Sequence, residues 1–195
     1  MRFLMFDVKP WPDRVDQYLG IAAGLRPQLD ALGGCEFIDR FSHLEDPAWL
    51  LSFQIWRDEA SLVRWRQDAQ HHEAQVIGRH EVFEDYRIRV GEVVRDETPG
   101  KPAFQISNVL RDRPYVVLTE SLGAISPPAQ FASLYRPGAT LRVLEAPSFA
   151  AALDAMEECR NGGVVTRAWI AVVERDYGLF QRDQAPQAYP PVTRL

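Results

Sequence analysis

The sequence predicts an α+β protein that contains two consecutive copies of a β-α-β-β-α-β unit. Strand-like and helix-like stretches follow one another in this order between residues 2 and 94, and the order partly recurs after a Pro- and Gly-containing linker at residues 98–102. A matched segment supports the repeat, because Val93-Val94-Arg95-Asp96 corresponds to Val173-Glu174-Arg175-Asp176 later in the chain. The order is that of a ferredoxin-like unit, and the repeat indicates two such units in tandem.

The first unit is predicted from apolar periodicity and from the residues that interrupt it. Its first helix begins after Asp13 and carries one apolar stripe, which Pro27 kinks or divides and Gly33-Gly34 ends. Its second helix follows Asp58 and Glu59, which the helix dipole favours, and ends at Gly78. The strands of this unit are predicted at residues 2–8, 36–43, 49–56 and 82–94.

The second unit is predicted to be shorter. Strands are expected at residues 114–122, 140–144 and 164–177, with a helix at residues 148–160. The segment Ser126–Tyr135 fits a short helix or, at its end, a strand, so this unit has lost or reduced its first helix. The predicted domains are therefore 1–97 and 103–178, followed by a Pro-containing tail at 179–195.

Each predicted sheet has helices on one face and is bare on the other. Two such sheets can bury their bare faces against each other as an α+β barrel. A tandem chain can do this within itself, and the alternative is a homodimer in which two chains pair through their first repeats. Both arrangements are compatible with the sequence.

Composition excludes several classes of partner. The chain has 195 residues and a net charge of −5 without a Lys/Arg run, which argues against nucleic acid. No apolar run reaches the roughly 18–20 residues that cross a bilayer. The N-terminus reads as a strand and not as a signal peptide, and Cys35 and Cys159 are expected to be free thiols. We therefore expect a cytoplasmic protein with no membrane partner.

The helix that follows Trp56 carries the residues with chemical potential. Its apolar stripe has spacings of three and four residues, which places Trp65 and His72 on one face and His71 about 100° around the helix axis. Two interpretations follow. Trp65 and His72 are packed core residues, or they line a cavity in which His72 is a general base. The stripe consists of Leu62, Trp65, Ala69, His72 and Val76.

Other candidate residues lie on the strands. Asp7 could face the same cavity, and Arg87 and Arg89 could bind an acidic group or pair with acids on neighbouring strands. The three histidines His71, His72 and His80 do not have a recognised metal-ligand spacing. The sequence also contains no Gly-rich phosphate loop and no Gly-x-Ser-x-Gly elbow, which argues against a loop-bound nucleotide or flavin and against a serine hydrolase.

Residues 1–96 resemble the antibiotic biosynthesis monooxygenase (ABM) domain. The residues that carry the resemblance are Leu51-Ser52-Phe53-Gln54-Ile55-Trp56-Arg57-Asp58-Glu59, Trp65-Arg66, His72, Ala74-Gln75, Gly78-Arg79, Phe83, Tyr86-Arg87, Arg89-Val90 and Glu92-Val93-Val94-Arg95-Asp96. The resemblance implies ferredoxin-like units paired as in dimeric α+β barrels. Some members of this group are cofactor-independent monooxygenases of polycyclic phenols, some degrade haem, and many have no assigned activity.

The resemblance implies a site in which Trp65 and His72 are catalytic. In this hypothesis a small aromatic molecule and O₂ are the partners, no cofactor is used, and His72 or an ordered water removes the proton of a phenol or enol. Haem binding through His72 or His71 is an alternative, although the first strand offers Asp7 instead of the Asn of haem-degrading relatives. A non-catalytic module is the third interpretation. The expected substrate-binding residues are Trp56, Asp7, Tyr86, Arg87 and His71.

Overall fold

The structure, a computed structural model, describes residues 1–100, 104–106, 112–123 and 129–186. The strands in this part of the chain are β1 Arg2–Pro10, β2 Cys35–His43, β3 Leu50–Trp56, β4 Phe83–Asp96, β5 Phe104–Gln105, β6 Tyr115–Leu122, β7 Phe131–Ser133, β8 Ala139–Ala146 and β9 Arg167–Gly178. The α-helices are α1 Val15–Gly24, α2 Arg26–Leu32, α3 Glu59–Gln67, α4 Ala69–Ile77 and α5 Phe149–Asn161.

Eight of these strands close into one antiparallel barrel. The order around it is β1-β3-β2-β7-β8-β6-β9-β4, and β4 pairs back with β1. The first unit contributes the sheet β4-β1-β3-β2 and the second contributes β9-β6-β8-β7, which meet at the β4–β9 and β2–β7 pairs. The predicted tandem α+β fold is therefore confirmed. The barrel closes within one chain, so its formation does not require the homodimer.

The barrel interior is filled by apolar side chains from all eight strands. On β1, Phe3 and Met5 face this interior, whereas the alternate residues Leu4 and Phe6 face the helices. This alternation follows from the two-residue period of a strand. The interior cluster contains Phe3, Met5, Phe41, Leu51, Phe53, Ile55, Val93, Val116, Leu118, Phe131, Leu141, Trp169, Ala171 and Val173.

Gly91 lies where the two units join. A Cβ atom at this position would be 1.8 Å from the carbonyl oxygen of Val172 on β9 and 2.7 Å from the ring of Phe3. The β4–β9 register shifts next to Gly91 and again after Val93. Val90 packs with the helices of the first unit and Val94 packs with α5 of the second, because residues at even positions in this part of the strand face outward. The strand β4 therefore packs against helices of both units.

The helices of the first unit are interrupted in two places. Leu25 separates α1 from α2 just before Pro27, as the sequence predicts. Asp68 separates α3 from α4 with an extended ψ of 135°. The prediction of one helix ending at Gly78 was wrong, because the chain breaks at Asp68 and then continues past Ile77 as a π-helical turn, Gly78–Val82.

The second unit places α5 on its own sheet. The end of the ambiguous segment Ser126–Tyr135 is β7, and its residues 126–128 lie outside the described part of the chain. Residues 179–186 of the predicted tail contain no helix or strand, and residues 187–195 lie outside the described part. In the part of the chain that is described, no helix is both long enough and apolar enough to cross a membrane.

Candidate active site

A cavity of about 130 Å³ lies between the sheet of the first unit and α3–α4. A second cavity of about 110 Å³ extends beneath α1 and α2. A dry cavity of about 150 Å³ holds one benzene ring, so the two spaces together suit a molecule of one or two rings. They share the walls Phe6, Gln54, Trp65, His71, Gln75 and Phe83.

Trp65 and His71 form the shared wall as a stacked pair. Their ring centroids are 4.1 Å apart and their planes differ by 13°. The Nδ1 atom of His71 lies 2.8 Å from the carbonyl oxygen of Trp65. Because a carbonyl oxygen only accepts, Nδ1 carries the proton and Nε2 keeps the lone pair in the neutral ring. The amide nitrogen of Gln75 also lies 3.2 Å from Nδ1, but the contact with the carbonyl oxygen is shorter, so we assign the Nδ1–H tautomer to His71.

Asp68 sets the position of this histidine. Its carboxylate caps α4 by accepting a hydrogen bond from the backbone N–H of His71 at 3.0 Å. The same carboxylate accepts from Nε2 of Gln28 on α2 at 2.9 Å. The extended backbone at Asp68 lets the first turn of α4 fold back against α3, so the imidazole reaches the carbonyl and ring of Trp65.

Burial lowers the pKa of His71 below its ordinary value of 6.5. The hydrogen bond to the Trp65 carbonyl and the negative charge of Asp68 act in the opposite direction but do not offset burial, and the charge of His72 lowers the pKa further. The ring is therefore neutral at pH 7 and able to accept a proton at Nε2.

The prediction that His72 faces the cavity and His71 lies aside was wrong. The side chain of His72 is exposed, and the cavity wall contains His71 instead. The prediction assumed one continuous helix from Trp65 to Val76. Because the chain is extended at Asp68, the angular relation between Trp65 and the following residues is reset.

Of two further residues that were expected to bind substrate, the structure places one at the cavity wall and the other in the core. Tyr86 lines the cavity, and its hydroxyl oxygen accepts hydrogen bonds from Arg79 at 2.7 Å and from Arg182 at 2.9 Å. Trp56 is fully buried in the core next to the cavity, where its Nε1 donates to Oε1 of Gln54 at 3.0 Å. The prediction that Trp56 touches substrate is not supported, because Gln54 stands at the wall instead.

Asp7 and Arg87 lie away from the cavity, at one end of the barrel. Asp7 is on the inward face of β1 and accepts a hydrogen bond from Arg89 at 3.0 Å. Burial raises the pKa of Asp7, and the Arg89 charge opposes this change. Arg87 forms a two-bond pair with Asp176 on β9, at 2.9 and 2.6 Å. Asp7 and Arg87 were thus wrongly placed at the site, because residues at odd positions on these strands face away from the helices.

Sequence reasoning missed most polar residues of the wall. Gln54 had a signal, since Ser52 and Gln54 are alternate polar residues in the apolar strand β3. Arg175 and Arg182 had none, because they come from the second unit and the segment after it. The polar wall residues beyond the predicted set are Gln54, Arg66, Gln75, Arg79, Arg175, Tyr177 and Arg182. No group of three or more potential metal ligands occurs within the described ranges.

Comparisons with known proteins place this architecture in a family. Residues 1–76 match the family model described as antibiotic biosynthesis monooxygenase. A protein of Pyricularia oryzae, named jasmonate monooxygenase ABM, is 33% identical over 217 aligned positions, which cover 97% of this chain and 99% of the relative.

Solved structures show weaker likenesses. A conserved protein from Methanosarcina mazei Go1 is 19% identical, covers 46% of this chain and 88% of its own, and has a TM-score of 0.42. An anthrone oxidase-like protein is 14% identical, covers 95% of this chain and 96% of its own, and has a TM-score of 0.38. On the strength of the full-length relative, the chain belongs to the antibiotic biosynthesis monooxygenase family and is a monooxygenase.

Proposed function

We propose that this monooxygenase acts without a cofactor on a small ring compound that carries a phenol, an enol or an activated CH₂ group. The observation that supports this proposal is the Trp65–His71 pair, in which a neutral imidazole with its Nδ1 proton engaged forms the wall of an apolar cavity. A base in such surroundings can generate a substrate anion, and an electron-rich anion reduces O₂ directly. His71, and not His72, has the general-base role in this proposal.

The reaction balances for an activated CH₂ group. Nε2 of His71 takes one proton and leaves the carbanion or enolate. This anion gives an electron to O₂, and the two radicals combine to form a C–O bond and a peroxide anion, which takes the proton back from the imidazolium. Loss of water from the hydroperoxide gives the ketone. One oxygen atom thus enters the product and the other leaves as water, with all four electrons coming from the substrate.

Gln54 is the donor that this proposal assigns to the developing oxyanion. Its amide orientation is fixed, because Trp56 Nε1 can only donate and therefore takes Oε1. Nε2 then carries two N–H groups, of which one donates to the Ser52 hydroxyl at 3.1 Å. Because Gln54 lines the cavity, we assign its second N–H as the donor that holds a phenolate or enolate oxygen.

The size of the cavity does not fit haem. Each of the two cavities, about 130 and 110 Å³, has the volume of roughly one benzene-sized site. A macrocycle of four pyrrole rings is larger than both together. The Pyricularia oryzae relative is named for jasmonate, and jasmonate is therefore a probe for this chain alongside anthrone, which has an activated CH₂ between two rings.

Oxygen uptake by the purified chain tests the proposal. We expect uptake with anthrone in the presence of a chelator and without added flavin, and one labelled oxygen atom in the product when the gas is ¹⁸O₂. Haemin titration is the control, for which no shift of the haem absorption band is expected. Uptake that requires added flavin, metal or haem would contradict a cofactor-independent reaction.

A further inference from the structure

Four arginines converge on the same cavity. Arg66 comes from α3, Arg79 from the π-helical turn, Arg175 from β9 and Arg182 from the segment after β9. The wall residues that the structure describes include no Asp or Glu. This concentration of positive charge stands out in a chain whose net charge is −5. The cavity is therefore electropositive although the protein is acidic.

Two tyrosines hold the arginines together. The Tyr86 hydroxyl oxygen accepts from both Arg79 and Arg182, and Arg79 is only 5% exposed. The guanidinium of Arg182 also lies 5.7 Å from the ring centroid of Tyr177. Burial raises the pKa of Tyr177, and the charges of Arg175, Arg66 and Arg182 oppose this change, so these groups share one small region.

Arg66 differs from Arg175 in its charge pairing. It forms no ion pair with a carboxylate in the described part of the chain, and its buried Nε has no hydrogen-bond partner there. Arg175, by contrast, is bonded to Glu59 at 2.7 Å. A cation beside a low-dielectric cavity is unfavourable unless an anion accompanies it. An anionic group of the ligand would supply that partner.

The remaining wall residues are mostly apolar, so the anion that this site fits belongs to a largely apolar molecule. Guanidinium groups match carboxylate in a planar two-bond geometry, and the small volume favours a compact anionic group. The apolar residues are Leu4, Phe6, Leu62, Trp65, Phe83, Ile88, Val90 and Pro186.

We propose that the substrates of this enzyme are apolar monocarboxylates, whose carboxylate is held by Arg66 with Arg79 and Arg182 while the apolar body lies against Trp65 and His71. This inference rests on the proposed function, since it assigns the substrate class of the same cavity. The hydroxyl of Tyr86 supports it, because both lone pairs of its oxygen are used by arginines and its proton can donate to the carboxylate.

Binding of a matched series of probes tests the inference without requiring turnover. The series is 3-phenylpropanoate, its methyl ester and 3-phenylpropylphosphonate, measured by calorimetry at neutral pH. We expect the carboxylate to bind about tenfold more tightly than the ester, as a charge-assisted hydrogen bond contributes on this scale. Equal binding of acid and ester to the native protein would overturn the inference, and so would tighter binding of the phosphonate.

A pair of arginine variants localises the effect. Arg66→Met should reduce the preference for acid over ester to about unity, because the ester lacks the charge that Arg66 binds. Arg64→Met is the control, since Arg64 is on the same helix but exposed and outside the cavity wall. It should retain the preference. A preference that persists in Arg66→Met, with native melting behaviour, would contradict the assignment.

The outcomes separate this inference from the proposed function. Preferential binding of the acid without oxygen uptake by any probe would keep the carboxylate site and contradict the cofactor-independent reaction. Oxidation of uncharged anthrone combined with equal binding of acid and ester would keep the reaction and overturn the carboxylate site.

Discussion

At the scale of single residues, the chemistry depends on which of two adjacent histidines faces the cavity. Residue types alone suggested a tryptophan–histidine pair, and that pair exists, but its histidine is His71. Helical periodicity could not identify it, because the angle between Trp65 and His71 is set by the backbone of Asp68. The hydrogen bond between Nδ1 of His71 and the carbonyl oxygen of Trp65 forms because the helix breaks at Asp68. The spacing of residues in the sequence does not predict it.

The lowered pKa of His71 predicts a pH-dependent stability. The folded state holds this ring neutral, whereas the unfolded state accepts a proton near pH 6.5. The contribution of His71 is thus fully present above pH 6.5 and decreases as the pH falls from 6.5 through the lower folded-state pKa. NMR titration of the imidazole signal should give a midpoint below 6.5. In His71→Gln, the free energy of unfolding should depend less steeply on pH below 6.5. An unchanged pH dependence in this variant, together with an NMR midpoint at or above 6.5 in the native protein, would contradict the burial of this ring.

At the scale of elements, the strands were predictable and the helix break was not. Alternating apolar residues, bounded by Gly and Pro, gave strand bounds within a few residues of those observed, and Pro27 divided the first helix as expected. In the sequence, nothing distinguishes Asp68 from other polar residues of a helix. Its carboxylate also accepts a hydrogen bond from Gln28 of a different helix, and a one-dimensional pattern does not contain this contact.

Replacing Asp68 should affect both stability and the site. Asp68→Ala removes the cap of α4 and should lower the free energy of unfolding by about 1 kcal/mol. It should also broaden or shift the NMR signal of the His71 ring, because the backbone N–H of His71 loses its acceptor.

Asp58→Ala is the matched control for Asp68. Asp58 caps α3 through the backbone N–H of Ser61 at 2.7 Å, and this bond helps to lower the pKa of Asp58 to about 2. Loss of this cap should lower the melting temperature but leave the His71 signal in place. If both variants moved the His71 signal equally, Asp68 would have no special role in positioning it.

At the scale of the whole molecule, the two units differ in the residues that they contribute to the cavity. The first contains the Trp65–His71 wall, while α5 of the second has neither Trp nor His and packs closely on its own sheet. The second unit nevertheless adds Arg175 and Tyr177 to the cavity across the β4–β9 junction. Arg136 also joins the units, since it bonds to Asp39 of β2 and to Glu120 of β6. The cavity of the first unit is thus completed by the second.

The close packing at the β4–β9 junction predicts that one methyl group added at Gly91 strongly destabilises the protein. Gly91→Ala would place a Cβ against the Val172 carbonyl and the Phe3 ring, so it should lower the free energy of unfolding by about 3 kcal/mol or more. Gly20→Ala is the control, because Gly20 is on α1 with open space around it, and this variant should gain up to about 1 kcal/mol. Chemical denaturation followed by fluorescence and circular dichroism should give one coincident transition in each case. Separate transitions for the two units, or a tolerated Gly91→Ala, would contradict the closed single-chain barrel.

The most direct test of the central claim compares the two adjacent histidines. Oxygen uptake with anthrone is measured for His71→Gln and His72→Gln under identical conditions. If His71 is the base, His71→Gln should lower kcat by about 100-fold or more, as expected for loss of general base catalysis, and His72→Gln should retain the native rate. A native rate in His71→Gln, or an equal loss in both variants, would contradict the assignment of the Trp65–His71 cavity as the active site.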